Sequence, residues 1–181
     1  VPAAPCANAL GESPIWTIGE ERLYWLDIAR KQLHWLEPST GRHAAAELDC
    51  RASAIAVRSS GGFLLGTERG FALFEPATGK MDIVHNPEPE RHWNRSNDGH
   101  ADCKGRFWLG TMDSSEQQRS GAIYRLDPDW RCTRVLDDLG IPNSLVSTPD
   151  CARLYLADSR EQVLFACELD GDGAITQRNV F

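Results

Sequence analysis

Arg22-Leu23-Tyr24-Trp25-Leu26-Asp27 is followed along the chain by three relatives of itself: Gly62-Phe63-Leu64-Leu65-Gly66-Thr67, Arg106-Phe107-Trp108-Leu109-Gly110-Thr111 and Arg153-Leu154-Tyr155-Leu156-Ala157-Asp158. Short runs of Leu, Tyr, Trp and Phe bounded by Gly, Pro, Asp and Asn read as strands. Counted at Leu23, Phe63, Phe107 and Leu154, they recur in steps of 40, 44 and 47 residues. A second strand-like run follows each: Gln32-Leu33-His34-Trp35-Leu36, Phe71-Ala72-Leu73-Phe74, Ala122-Ile123-Tyr124-Arg125-Leu126 and Val163-Leu164-Phe165-Ala166-Cys167. Next come the turns Glu37-Pro38-Ser39-Thr40-Gly41, Glu75-Pro76-Ala77-Thr78-Gly79, Asp127-Pro128-Asp129 and Asp170-Gly171-Asp172-Gly173. Segments ending at Trp16, Val57, Asp102 and Ser147 supply a first strand to each unit, and a fourth strand follows the turn.

Four short strands in a fixed period of 40 to 47 residues predict an all-β fold of β-propeller blades, with a β-sandwich of unrelated hairpins as the alternative. The Gly-His…Trp-Asp punctuation that marks each WD40 repeat is absent. Units of this size divide the chain into about four blades, and rings close with about 4 to 8. The chain stops at Asn179-Val180-Phe181 inside a strand-like run. We therefore expect residues 1–181 to form one incomplete propeller domain, the front part of a larger ring, with residues 1–8 as an N-terminal extension. An open ring exposes blade edges and apolar surface, and on that ground this stretch by itself is expected to aggregate.

Composition narrows the function. Nineteen Lys+Arg against 26 Asp+Glu leave a net charge of −7, and no basic cluster exists to neutralise phosphates, so nucleic acid is not an expected partner. No apolar run approaches the ~20 residues of a membrane-spanning helix. The start, Val1-Pro2-Ala3-Ala4-Pro5, has no basic and apolar leader, so the cytoplasm is the expected location. The six cysteines are separated by 44, 53, 29, 19 and 16 residues. They contain no Cys-x-x-Cys pair and are expected to be buried or half-buried free thiols. The tryptophans fall mostly in strands and are expected to pack between blades.

In a propeller, the innermost strands line a central channel, and polar residues at one register of successive blades converge on it. Four residues back from each first-strand marker stand Glu12, Ser53, Asp98 and Asn143, several bearing the hard oxygens that suit a cation. Arg95 and Asn97 are near enough in sequence to share that mouth. Singly, each has a plainer reading. Glu12 suits an exposed turn, Asn97-Asp98-Gly99 suits a hairpin, Pro142-Asn143-Ser144 suits a turn, and Arg95 suits a surface charge. Recurrence in one register is what favours ligands over turns. The five histidines form no zinc pattern, and no nucleophile elbow or phosphate-binding glycine loop is present. Asp170-Gly171-Asp172-Gly173 lacks the frame of a calcium loop and reads as a hairpin turn.

Leu10-Gly11-Glu12-Ser13-Pro14-Ile15-Trp16, Leu23-Tyr24-Trp25-Leu26-Asp27-Ile28, Arg95-Ser96-Asn97-Asp98-Gly99, Gly105-Arg106-Phe107-Trp108-Leu109-Gly110-Thr111-Met112, Ile141-Pro142-Asn143-Ser144-Leu145 and Tyr155-Leu156-Ala157-Asp158-Ser159 occur in that order. From about residue 8 onward, the chain resembles the regucalcin (senescence marker protein)/gluconolactonase family. The resemblance implies a six-bladed propeller with one divalent cation (Ca²⁺, Mg²⁺, Mn²⁺ or Zn²⁺) on its axis, and the hydrolysis of sugar lactones to aldonic acids. It implies Glu12 and Asn143 as two metal ligands, and Arg95 and Asn97 as the pair that hydrogen-bonds the sugar, with Asn97 also near the metal. The family's third metal ligand, an Asp that doubles as the catalytic acid/base, belongs to a Pro-Asp-Gly segment expected beyond Phe181, and the piece alone is expected to be inactive. Serines stand at 13 and 144 where the family has glycine. A substrate-contacting Glu of some members falls near Ser115 or Glu116 without a fixed register. The rivals are another esterase or phosphotriesterase on the same scaffold, and a non-catalytic calcium-binding propeller.

Overall fold

The structure, a computed structural model, describes residues 3, 4 and 6–181. Among them it contains sixteen strands and no helix. They form four antiparallel sheets of four strands, each a propeller blade. The first holds β1 (Gly11–Thr17), β2 (Arg22–Asp27), β3 (Gln32–Glu37) and β4 (Arg42–Glu47) in sequence order. The second holds β5 (Ala52–Val57), β6 (Phe63–Thr67), β7 (Gly70–Glu75) and β8 (Lys80–His85). The third holds β9 (Asn94–Ala101), β10 (Phe107–Asp113), β11 (Gly121–Leu126) and β12 (Cys132–Leu139). The fourth holds β13 (Pro142–Ser147), β14 (Arg153–Asp158), β15 (Val163–Leu169) and β16 (Ile175–Val180). The first two sheets form one compact unit reaching to His85, and the last two form a second, Asn86–Phe181.

Alternation shapes strands such as β14, whereas β10 and β11 are buried along their whole length. In the first unit Tyr24, Leu26 and Leu33 of one sheet meet Ile55, Phe63, Leu65 and Phe74 of the next. The Tyr24 ring stands edge-on to Phe63 at 4.8 Å. In the second unit the buried core runs through Trp108, Ile123, Leu145, Leu154, Leu156 and Cys167. Burying each such Leu or Ile contributes about 1.5–3 kcal/mol. The turns follow their sequences closely. Gly41 and Gly79 both sit at φ 70° and both donate their N–H to the carbonyl four residues back, Glu37 or Glu75, at 2.9 Å. Glycine takes that left-handed conformation without a Cβ penalty, so the Glu-Pro-x-Thr-Gly turn can close twice in one geometry. Asp170-Gly171-Asp172-Gly173 is a β15–β16 hairpin turn, with the Asp170 carboxylate accepting the N–H groups of Asp172 and Ala174 at 3.0 and 2.8 Å.

Three expectations need correction. Cys103 and Cys151 are joined in a disulfide, whereas Cys6, Cys50, Cys132 and Cys167 are free. The β9–β10 and β13–β14 turns lie side by side and bring the two Cα atoms to 6.1 Å, within bridging range, which spacing along the chain does not reveal. Of the tryptophans only Trp108 is fully buried, while Trp16, Trp93 and Trp130 are exposed. Trp16 stands next to the end of β1, Trp93 in the connection before β9 and Trp130 in the turn between β11 and β12. Asn97-Asp98-Gly99 does not turn the chain but runs through the middle of β9, because backbone pairing to β10 on either side outweighs the local turn preference.

Candidate functional site

Each first strand carries an irregularity at the same depth. In β1 the register breaks between Glu12 and Ile15, and in β13 between Asn143 and Val146. In β5 the break isolates Ser53, and in β9 it falls between Ser96 and Gly99. Pairing to the second strand gives the equivalences. Gly11, Ala52, Ser96 and Pro142 face Asp27, Thr67, Thr111 and Asp158. The next residues, Glu12, Ser53, Asn97 and Asn143, therefore share one position. Counting back from Asp102 picks Asp98 instead; β9 ends at Ala101, one residue earlier, so Asn97 takes the place expected for Asp98. In the first and fourth sheets the residue that follows, Ser13 or Ser144, sits in the left-handed region at φ 53° and 54°. A bulge of this form re-aims the side chain before it.

Asp98 has another task. Its Oδ2 accepts the N–H of Leu145 at 2.9 Å and its Oδ1 that of Gly99 at 2.8 Å. The carboxylate thus ties β9 to the bulge of β13. Asn97 adds a second tie, donating Nδ2–H to the Pro142 carbonyl at 2.9 Å while its Oδ1 accepts from Arg95 Nη1 at 3.1 Å. Arg95 also donates to the Ser96 carbonyl at 2.9 Å. The structure therefore brings Arg95, Asn97 and the Asn143 segment together, all half-buried. Asn143 accepts the Ser144 N–H on Oδ1 at 2.9 Å. Further out on the same pair of strands, His100 Nε2 lies 3.0 Å from Ser147 Oγ. Burial pushes this imidazole below its usual value, against the pull of Asp102 and Asp98.

In the first unit Glu12 is exposed on β1, and Ser13 Oγ donates to the buried Ser53 carbonyl at 2.7 Å. Near the region left without a register, Ser115 and Glu116 form a turn pinned by Asp113. The Ser115 hydroxyl, with the N–H groups of Ser115, Gln118 and Gln117, draws this carboxyl down to about 2 against the opposing effect of burial. Glu116 is exposed and its carbonyl accepts from Arg160 at 2.8 Å.

No group of three His, Cys, Asp or Glu side chains able to hold a metal occurs among the described residues. The oxygens at the shared register are one carboxylate, one hydroxyl and two amides. By chemistry each of these is an oxygen donor of the kind that suits a hard divalent cation and not a soft thiolate or imidazole centre. Sequence reading missed the ties made by Asp98, because a clamp onto a neighbouring strand has no local pattern.

Residues 10–181 match the family described as the SMP-30/Gluconolactonase/LRE-like region. A 6-deoxy-6-sulfogluconolactonase of Pseudomonas putida is 34% identical, over 92% of this chain and 57% of that protein. A pentonolactonase of Haloferax volcanii is 32% identical, over 95% of this chain and 58% of that protein. The crystal structure of a calcium-binding protein, regucalcin, from Agrobacterium tumefaciens superposes with a TM-score of 0.93 at 29% identity, covering 99% of this chain and 61% of that one. The chain thus spans about three fifths of the length of these relatives. With a matching family over nearly its whole length and four propeller blades in the expected order, the chain belongs to the SMP-30/gluconolactonase/LRE-like family.

Proposed function

We propose that the protein carrying this chain hydrolyses sugar lactones to aldonic acids with the help of one divalent cation. The observation that carries this reading is the shared register of Glu12, Ser53, Asn97 and Asn143. The names of the lactonase relatives support the substrate class. Glu12 and Asn143 would hold the cation, which when bound supplies Lewis-acid polarisation of the lactone carbonyl and stabilises the developing oxyanion. Arg95 donates hydrogen bonds to the sugar hydroxyls, with its guanidinium set by the Asn97 carbonyl oxygen and the Ser96 carbonyl. Asn97 takes part in the same contact and is held against Pro142. The acid/base carboxylate is assigned to the Pro-Asp-Gly segment expected after Phe181. Its role is to take a proton from the attacking water and to return one to the departing alkoxide.

Whether the cation is Ca²⁺, Mg²⁺, Mn²⁺ or Zn²⁺ belongs to the same proposal, and the first three suit the oxygen donors best. The cytoplasm is kept as its place of action on the strength of the four free thiols. The Cys103–Cys151 bond pulls the other way, and a thiol count on protein trapped with alkylating reagent decides between them. No helix among the described residues is long and apolar enough to cross a membrane.

The test is a panel of aldonolactones, paraoxon and phenyl acetate, assayed before and after chelation. Lactone opening lost with EDTA, restored by a divalent cation and reduced at least a hundredfold by Glu12→Gln or Asn143→Ala is expected. Turnover of the aryl ester or phosphotriester alone would move the protein to another hydrolase class. Ca²⁺ binding without turnover of any panel member would make it a binding propeller.

A further inference from the structure

Asp27 and Asp158 end β2 and β14 at one register position and are 0% and 1% exposed. Asp27 Oδ2 accepts the N–H of Ala9 at 2.8 Å, and Oδ1 accepts those of Leu10 at 3.2 Å and Arg30 at 3.1 Å. Asp158 repeats the arrangement. Its Oδ2 accepts from Gly140 at 2.8 Å, and its Oδ1 from Ile141 at 2.9 Å and Arg160 at 3.2 Å. A backbone bond closes each ring, from Ile28 N–H to the Leu10 carbonyl and from Ser159 N–H to the Ile141 carbonyl, both at 2.9 Å. Each carboxylate therefore grips the two residues just before a first strand. Glu12 lies two residues beyond Leu10, and Asn143 two beyond Ile141.

The other two sheets lack a buried carboxylate at this position; in the second, the partly exposed Glu68 one residue further on takes only one backbone N–H, that of Arg51, at 3.1 Å. Thr67 and Thr111 stand at the equivalent position, and their hydroxyls donate elsewhere, to the Gly70 carbonyl at 2.8 Å and to Glu88 Oε1 at 3.1 Å. A four-stranded blade therefore does not require the buried carboxylate. It coincides instead with the two sheets whose first strands bear the proposed metal ligands and whose next residue is left-handed.

We propose that Asp27 and Asp158 are positioning residues that hold Glu12 and Asn143 in place for the cation. This inference rests on the metal reading of the preceding subsection. The carboxylate is suited to the task because its two oxygens offer about four acceptor sites and no donor. Asn keeps the volume but offers one oxygen and turns an NH₂ toward the backbone N–H groups, leaving buried donors unpaired. The bonds from Ala9, Arg30 and Leu10 also hold the Asp27 carboxyl below its usual value, against the upward push of burial.

The experiment compares Asp27→Asn, Asp158→Asn and a core control, Leu154→Ala, in the full-length protein by three measurements: thermal melting, calorimetric titration with Ca²⁺, Mg²⁺, Mn²⁺ and Zn²⁺, and amide hydrogen exchange. The expected result is at least a tenfold loss of cation affinity in both Asn variants. Exchange should quicken at Ala9 and Leu10 in one and at Gly140 and Ile141 in the other. Leu154→Ala should lower the melting temperature and leave the affinity of the folded protein within twofold. Asn variants that melt lower but bind the cation as the wild type does would overturn the inference and leave the metal reading standing. A wild type that binds none of Ca²⁺, Mg²⁺, Mn²⁺ and Zn²⁺ would overturn the metal reading itself, and the inference with it.

Discussion

Ser13 and Ser144 occupy matching bulges at φ 53° and 54°, yet the two serines are not equivalent in what they contribute. A non-glycine residue in the left-handed region carries a steric cost that glycine does not. Ser13 recovers part of it through its hydroxyl bond to the Ser53 carbonyl, whereas Ser144 is exposed and its position is held by its backbone N–H to Asn143 Oδ1. Ser144→Gly should therefore stabilise the chain by about 0.5–1 kcal/mol. Ser13→Gly should be neutral or slightly destabilising, because a hydrogen bond of about 1 kcal/mol is lost with the strain. Urea unfolding of the two variants beside the wild type checks this, and equal shifts would contradict it. The resemblance marked both positions as departures from glycine; only the backbone angles explain why glycine suits them.

Strand β10 is anchored at its start by Asp102, whose Oδ1 accepts the N–H groups of Lys104 and Arg106 and whose Oδ2 accepts Arg106 Nε at 2.6 Å and Trp108 Nε1 at 2.8 Å. Burial pushes this carboxyl up, but the bonds from Trp108 and Arg106 outweigh it and hold the group below its usual value. Asp102→Ala leaves a buried guanidinium and an indole N–H without their acceptor, so a loss of about 3–5 kcal/mol is expected. Near-UV circular dichroism of Trp108 during denaturation would report it. A loss below about 1 kcal/mol would mean that Arg106 finds another partner. At this scale the strands were legible from composition and turns: β2 and β14 span the residues expected, and the paired Glu-Pro-x-Thr-Gly turns close as read. The sequence marks Asp102 only as the end of a strand, since its partners come from the turn it caps and from the strand beyond.

For the chain as a whole, several groups share one direction of pH dependence. His34 is pushed below 6.5 by burial and by His43, opposed by Asp27 and Glu47 and assisted by Arg30, and His100 is pushed below 6.5 by burial. Both are held neutral in the folded state, so the unfolded chain binds protons more readily between the two pKa values. Their contribution is complete above pH 6.5 and is lost as pH falls through the lowered values. Asp27 and Asp102, lowered from 3.8, behave alike at a lower range: their contribution is present above that value and disappears as pH falls through the folded-state pKa. The melting temperature should thus fall in two stages, one beginning near pH 6.5 and one below about pH 4. His100→Gln should flatten the first stage. A melting temperature constant from pH 7 to 5 would refute the upper stage.

The all-β class, the blade period, most strand limits and the polar residues of the first strands were determined by the sequence, because alternation and turn chemistry act over a few residues and leave a local trace. Tertiary structure decided which residue of β9 shares the position of Glu12 and Asn143, since a register is set by pairing with the neighbouring strand and one residue of strand length shifts it. It also decided the Cys103–Cys151 bond and the tasks of Asp27, Asp98 and Asp158. Those depend on groups that lie far apart along the chain and become neighbours when the sheets pack.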